Sequence, residues 1–290
     1  MDTVSFDRAA DFIWRNARLL EKYRFAYHFL NGPQSAVLAC LRSYQNTDGG
    51  FGNALEPDKR YPGSTPIDVA TAFDILDEVD SFGDESVIQA CNFLQTITSS
   101  EGGVPFTLSA VNQYPHAAWW GTEEADPPAA VNPTAEICAL MLKNDVQHPW
   151  LEQAELFCWR NIPSLEASFH NLMPAIHFLQ YASDQARAAA MLAKIKADIL
   201  HEDLVAFQRN EGGYVKFPLD WAPSPEHALR NLFTNDEIEA DLDALEAKQQ
   251  PDGGWSINWE PISPAVELEY RGIVTLRNLL TLKAYKRIVL

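Results

Sequence analysis

Glu56 and Asp58 stand two positions apart in the loop "ALEPDKRYPG", a few residues after a pair of glycines. Two carboxyl groups so placed are raw material for proton transfer, once burial or a neighbouring charge separates their affinities for the proton. Glu226 beside His227 is a second pairing of acid and base types. These four are the candidate catalytic residues. Asp68, Glu267 and Arg271 are candidate ligand contacts. Arg271 sits in an apolar helical run, where a guanidinium needs a carboxylate such as Glu267 one turn earlier, or acts as a clamp for an anionic ligand. The aromatic candidates are Phe51, Trp221, Trp255 and Trp259, with His116, Trp119 and Trp120 from the segment "NQYPHAAWWG". Their rings can face a cation, stack on a flat ligand or fill a core.

The helices that must position these residues are legible from apolar spacing. Charged-faced helices are expected near 33–45, 84–97, 149–160, 185–208 and 235–249. More apolar ones are expected near 4–30, 66–80, 133–146, 166–181, 225–233 and 264–287. Four of the latter follow a polar residue and a proline: Thr65-Pro66, Asn132-Pro133, Ser224-Pro225 and Ser263-Pro264. A polar cap followed by proline in the first turn is a helix-start signal. That places Asp68, Glu136, Glu226, His227, Glu267 and Glu269 in first turns, where the helix dipole also favours acids.

Between the helices a short frame repeats. "QNTDGGF" begins at Gln45 and "QQPDGGW" at Gln249, with weaker copies in "SSEGGVPF" (Ser99 to Phe106) and "FQRNEGGY" (Phe207 to Tyr214). The glycine pair suits a chain that leaves a helix through positive φ. Gln45 and Gln249 are expected to bond the start of a neighbouring helix, and Asp48 and Asp252 to accept turn amides.

These residues resemble the Gln-to-Trp repeats of the terpenoid cyclase and protein prenyltransferase superfamily, and the tail "GGWSINWEPISPAVELEYRGIVTLRNL" is similar to an uncharacterised bacterial group within it. The resemblance implies an all-α fold, an α/α toroid of about six helical hairpins closed into a ring. It implies an isoprenoid substrate in a central cavity, with the ligand site at a mouth formed by the inner-helix starts. The chain departs from the family's chemistry. It has no Asp-x-Asp-Asp acid motif; the nearest string, Asp241-Leu-Asp243, reads as a solvated helix face. Asp74, Asp77 and Asp80 have helical spacing that suits a hard cation or a solvated helix end alike. The Asp-x-Cys with which a prenyltransferase holds zinc is missing; the only similar string is Glu136-Ile-Cys138, and two positions apart do not share a helix face. No metal and no cofactor are expected. The alternative readings are a carbohydrate-active α/α-barrel hydrolase or lyase, and a non-catalytic toroid that binds an apolar ligand or a protein.

Composition narrows the partners. The 290 residues are 47% hydrophobic, enough for a core, and no shift in composition divides them, so one domain over 1–290 is expected. A formal charge of −18 repels nucleic acid and anionic membrane surfaces, and the resemblance implies a small apolar or isoprenoid molecule as the ligand. No run approaches the roughly 20 apolar residues of a transmembrane helix. Cys40, Cys91, Cys138 and Cys158 form no Cys-x-x-Cys, so reduced thiols and a cytoplasmic location are expected.

Overall fold

A computed structural model describes residues 1–209 and 214–288. The chain is all-α, with no β-strand among the described residues. In order the helices are α1 (Thr3–Asn16), α2 (Leu19–Leu30), α3 (Gln34–Leu41), α4 (Pro66–Glu78), α5 (Glu85–Thr96), α6 (Val131–Lys143), α7 (Pro149–Asn161), α8 (Phe169–Tyr181), α9 (Gln185–His201), α10 (Pro218–Trp221), α11 (Asn235–Ala247) and α12 (Pro264–Ala284). They fall into two compact units, Leu38–Ile195 and Met1–Val37 with Lys196–Leu290, where the sequence suggested one domain.

In the unit Leu38–Ile195, α6 packs between α4 and α8. α4 buries Val69, Ala70, Ala72, Phe73, Ile75 and Leu76, which lie on all sides of the helix. α5 buries a narrower stripe built on Val87, Ala90, Cys91 and Leu94. All-round burial marks a helix enclosed by others, and a stripe marks one with a wet face. Thr65 caps α4 by accepting from the Asp68 N–H, with Pro66 in the first turn, as the sequence suggested.

In the other unit α1 packs on α12 and α2. Residues 4–30 form two helices rather than one. Ala17 and Arg18 are extended, and Arg18 turns its guanidinium onto the fully buried Glu21, at 2.9 and 2.8 Å. The corner packs tightly on α12: a Cβ on Gly272 would lie 2.7 Å from Ala17 Cβ. The helix expected over 225–233 is absent. Successive turns run from Ser224 to Phe233, with a short 3-10 segment at Arg230–Leu232. The cap-proline signal at Ser224-Pro225 is local, and nine residues give little return on the cost of nucleating a helix.

The repeated frame is one structure used three times. In each copy the first glycine has positive φ, at Gly49 (+89°), Gly102 (+97°) and Gly253 (+96°). Each presses on a backbone carbonyl of a neighbouring helix, where an added Cβ would lie 2.5 Å from Gln89 O, 2.6 Å from Gln153 O and 2.1 Å from Arg8 O. The second glycine lies on the phenylalanine one turn further along that helix, Phe93, Phe157 or Phe12. Gln45 Nε2 donates to Gly49 O and to Ser86 O of α5, at 2.9 and 3.4 Å. Gln249 Nε2 donates to Gly253 O and to Ser5 O of α1, at 2.9 and 2.8 Å. The third copy reverses the polarity of this contact. Thr98 takes the glutamine's place and accepts from the Trp150 indole of α7 at 2.8 Å. The fourth copy has Asn210 to Gly213 outside the described residues.

Candidate functional site

The first copy leads directly into the candidate site. Asp48 accepts from the Gly50 N–H at 2.9 Å and from Ser64 Oγ at 2.7 Å, which fastens the glycine turn to the approach to α4. The loop between them carries Glu56, Asp58 and Lys59. It pairs with the segment 114–120 through Arg60 N–H to Pro115 O at 2.9 Å and Ala117 N–H to Asp58 O at 2.8 Å. Two loops distant in sequence are thereby held edge to edge.

Behind this pairing is a cluster of buried charge. Asp58, Lys59 and Asp68 are 1%, 1% and 0% exposed. Asp68 accepts from Lys59 Nζ, from Thr65 Oγ1 at 2.6 Å and from the Glu56 N–H at 2.8 Å. An ammonium so deep is tolerated because a carboxylate neutralises it and further donors satisfy that carboxylate. Lys59 Nζ also lies 5.6 Å from the centroid of the Trp120 ring, within cation–π range. Trp120 stacks on Phe106 at 4.9 Å and 16°, and its carbonyl accepts from Thr107 Oγ1 at 2.6 Å. Its indole N–H is buried and has no acceptor among the described residues. Both carboxylate oxygens of Asp58 are shielded from water.

Of the residues singled out from sequence, Glu56, Asp58, Asp68, His116 and Trp120 come together here. Trp119, next to Trp120, is 47% exposed. His116 is half-buried, its Nδ1 2.7 Å from Tyr114 O. Beside it Tyr61 meets Tyr114 edge to face at 5.4 Å. Burial, and then the neighbouring Tyr114 and Asp48, hold the Tyr61 phenol above its ordinary pKa.

Other candidates are placed differently. Phe51, Trp221 and Trp255 are 1%, 0% and 3% exposed and fill the core instead of facing a ligand. The Trp255 and Trp221 indoles donate to Leu245 O and Leu204 O, at 2.8 and 3.3 Å. Arg271 does not pair with Glu267. It donates to both oxygens of Asp252, at 2.8 and 2.7 Å, and lies over the Phe12 ring at 4.7 Å. Its ion pair braces the last glycine turn, while Glu267 is exposed. Glu226 is exposed and His227 half-buried, in turns and not on a helix; His227 Nδ1 accepts from the Leu229 N–H at 3.3 Å. Trp259 is half-buried against Tyr270. Asp241 is not on a solvated face. It is 3% exposed, bound by Arg209, and accepts from the Leu219 N–H at 2.9 Å. Burial raises its pKa against the opposing pull of Arg209.

Lys59, Phe106 and Thr107 were not singled out from the sequence as site residues, and Thr65 was read there only as a helix cap. Lys59 reads there as one surface charge between two acidic residues and an arginine. A missed pair joins two helices: His177 of α8 lies 2.8 Å from both carboxylate oxygens of Glu136 on α6. Burial alone would lower the His177 pKa, but the Glu136 charge and hydrogen bond outweigh it and the net shift is upward. Asp77 does not stand free for a cation; it accepts from Lys143 and Asn144, at 2.6 and 2.9 Å. A groove of about 450 Å³ lies at the C-terminal ends of α4 and α6, lined by Asp80, Phe82, Glu85, Ile88 and Asp145, away from the start of α4 where the charge cluster sits.

No protein-family model and no curated protein matches the chain. Among solved structures, the crystal structure of a protein from Actinoplanes is similar, at 16% identity and a TM-score of 0.57 over 96% of this chain and 98% of that one. A likeness at that identity concerns the fold.

Proposed function

We propose that this chain is an α/α toroid of the terpenoid cyclase and protein prenyltransferase type, and that it handles an isoprenoid ligand at the Asp58–Trp120 cluster. Two features support the ring. The glycine clip recurs with one geometry, and the last copy fastens to α1, 244 residues earlier in the chain. The observation that carries the ligand site is the gathering of a buried carboxyl, a neutralised lysine and stacked aromatic rings between two loops. In this reading the Asp58 carboxyl gives its proton to an alkene carbon. The faces of Trp119, Trp120 and Phe106 then stabilise the positive charge left on the ligand. Lys59, fixed by Asp68, keeps the field of the site constant while the proton moves.

Trp119 favours a second reading, because a half-exposed indole beside carboxylates is also a platform for a sugar ring. The test is binding and turnover with a panel of prenyl diphosphates and oligosaccharides, using wild type, Asp58→Asn and Trp119→Ala. Prenyl diphosphate binding weakened severalfold by Trp119→Ala, about the worth of one cation–π contact, is expected. Asp58→Asn should keep binding and lose product. Folded protein that binds no prenyl diphosphate overturns the isoprenoid reading, and oligosaccharide binding lost in Trp119→Ala installs the second.

A further inference from the structure

The groove of about 450 Å³ lies wholly within the unit Leu38–Ile195, where α4 and α6 end and α5 begins. Its volume is that of a small-molecule site. Asp80, Asp84, Glu85 and Asp145 line it, and among the described residues no lysine or arginine does. Arg42 meets Asp84 at 2.9 Å and Lys143 meets Asp77 at 2.6 Å, so carboxylates outnumber cations in this region. The C-terminal ends of α4 and α6 add the negative poles of two helix dipoles. The rest of the lining is largely apolar: Ile88 is 44% exposed, Val146 is half-buried, and Phe82 and Val87 are buried.

The two helices that open onto the groove end in the same way. Asp80 and Asp145 both have φ +53°, and the residue after each reaches back five positions, Ser81 N–H to Leu76 O at 2.7 Å and Val146 N–H to Met141 O at 3.0 Å. Glycine or asparagine is the usual residue at such a left-handed end, and a cation is the usual charge at a helix C-terminus. Two aspartates oppose both preferences, and a positively charged ligand between them relieves the second.

We propose that this groove binds a linear aliphatic polyamine. Ammonium groups spaced by short alkyl chains match carboxylates separated by apolar surface. The charged nitrogens donate to Asp80, Asp145 and Glu85, and the methylenes lie on Ile88 and Val146. The Asn144 amide spends its N–H donors on Asp77 Oδ1 and Leu140 O, both at 2.9 Å, which leaves its oxygen as an acceptor. A quaternary ammonium calls for open aromatic faces, and the ring in this lining, Phe82, is buried. A bare hard cation gains nothing from the apolar surface. The formal charge of −18 draws cations toward the protein from a distance, and the groove sorts among them by shape.

Calorimetric titration of the full chain with spermidine, at neutral pH in about 0.15 M NaCl, tests this. Spermidine should bind at a single site and severalfold more tightly than Mg²⁺. In the double variant Asp80→Gly/Asp145→Gly the new residue suits the left-handed backbone, so the melting temperature should hold or rise while spermidine affinity falls about tenfold. Glu123→Gln/Glu124→Gln removes the same charge from an exposed loop and should leave affinity within about twofold. Ile88→Ser should weaken spermidine and leave Mg²⁺ unchanged. Folded protein that binds no spermidine, or binds Mg²⁺ as tightly, overturns the proposal. So does an equal loss in the two charge variants, which is attraction to net charge alone. A trilysine peptide amide that binds more tightly than spermidine also overturns it and makes the groove a protein-docking site.

Discussion

Asp68 collects an ammonium, a hydroxyl and a backbone amide on one carboxylate, and His177 shows the same principle in titratable form. Its imidazole faces Glu136 across α6 and α8, and the charges of Lys143 and Asp77 also act on it. The folded pKa lies above that of the unfolded chain. The protonated imidazole therefore contributes stability that is fully present below about pH 6.5 and is lost as pH rises through the raised folded value. Unfolding free energies of wild type and His177→Gln should differ most below pH 6, by about 1 kcal/mol for this partly buried pair, and converge in alkaline buffer. Urea titrations across pH check this. The sequence made Asp58, Asp68, His116 and Trp120 visible, because acids beside a helix-start signal and aromatic residues crowded into one loop can be read without any tertiary contact. Lys59 and the His177–Glu136 pair stayed hidden. What distinguishes them is a partner that only tertiary packing supplies, 9 residues away for Lys59 and 41 for His177.

The element that organises this chain is the glycine clip, and its demands are steric as well as conformational. Gly49→Ala would combine positive φ with a Cβ 2.5 Å from the Gln89 carbonyl, so about 1–3 kcal/mol of stability should be lost. Gly83→Ala is the matched control. Nothing lies within 4 Å of its Cβ position, and the substitution should leave stability within about 1 kcal/mol of wild type or raise it. Equilibrium denaturation of the two variants separates crowding from a general aversion to alanine in loops. Helices were legible wherever apolar spacing ran for three turns, as in α4, α5, α7, α11 and α12. The break between α1 and α2 was not, because Ala17 and Arg18 are unremarkable in sequence. Their extended backbone answers to Glu21 and to Gly272 of α12. Nor did the sequence reveal that Thr98 stands in for a glutamine, since its partner Trp150 lies 52 residues on.

Across the whole molecule the four thiols divide by burial. Cys91, Cys138 and Cys158 are fully buried, Cys40 is half-exposed, and none is in a disulfide. Burial pushes the Cys91 thiol up to about 12 and Cys138 well above its ordinary value, the latter with the Cys158 thiol adding to it. Thiolate, not thiol, is the nucleophile. Iodoacetamide at pH 8 should alkylate Cys40 in the native protein and reach the other three only in denaturant, a pattern that intact-mass measurement resolves. No described helix is long and apolar enough to cross a membrane. Much of the apolar composition is buried in packing, as at Phe12, Phe73, Trp150 and Leu276. That packing is distributed unevenly along the chain. The unit Leu38–Ile195 is one continuous segment, whereas the other joins the first 37 residues to those from Lys196 onward, with Gln249 closing on Ser5. On a ribosome adding about 5–20 residues per second, α1 and α2 leave the exit tunnel long before α12 exists. Phe6 already meets Phe25 and Phe29 of α2, whereas the contacts of α1 with α12 and with the last glycine clip form only after the middle of the protein is made. The surface of α1 that meets α12 is therefore covered late, and the α1–α2 pair must stay in solution without it while about 230 residues are added.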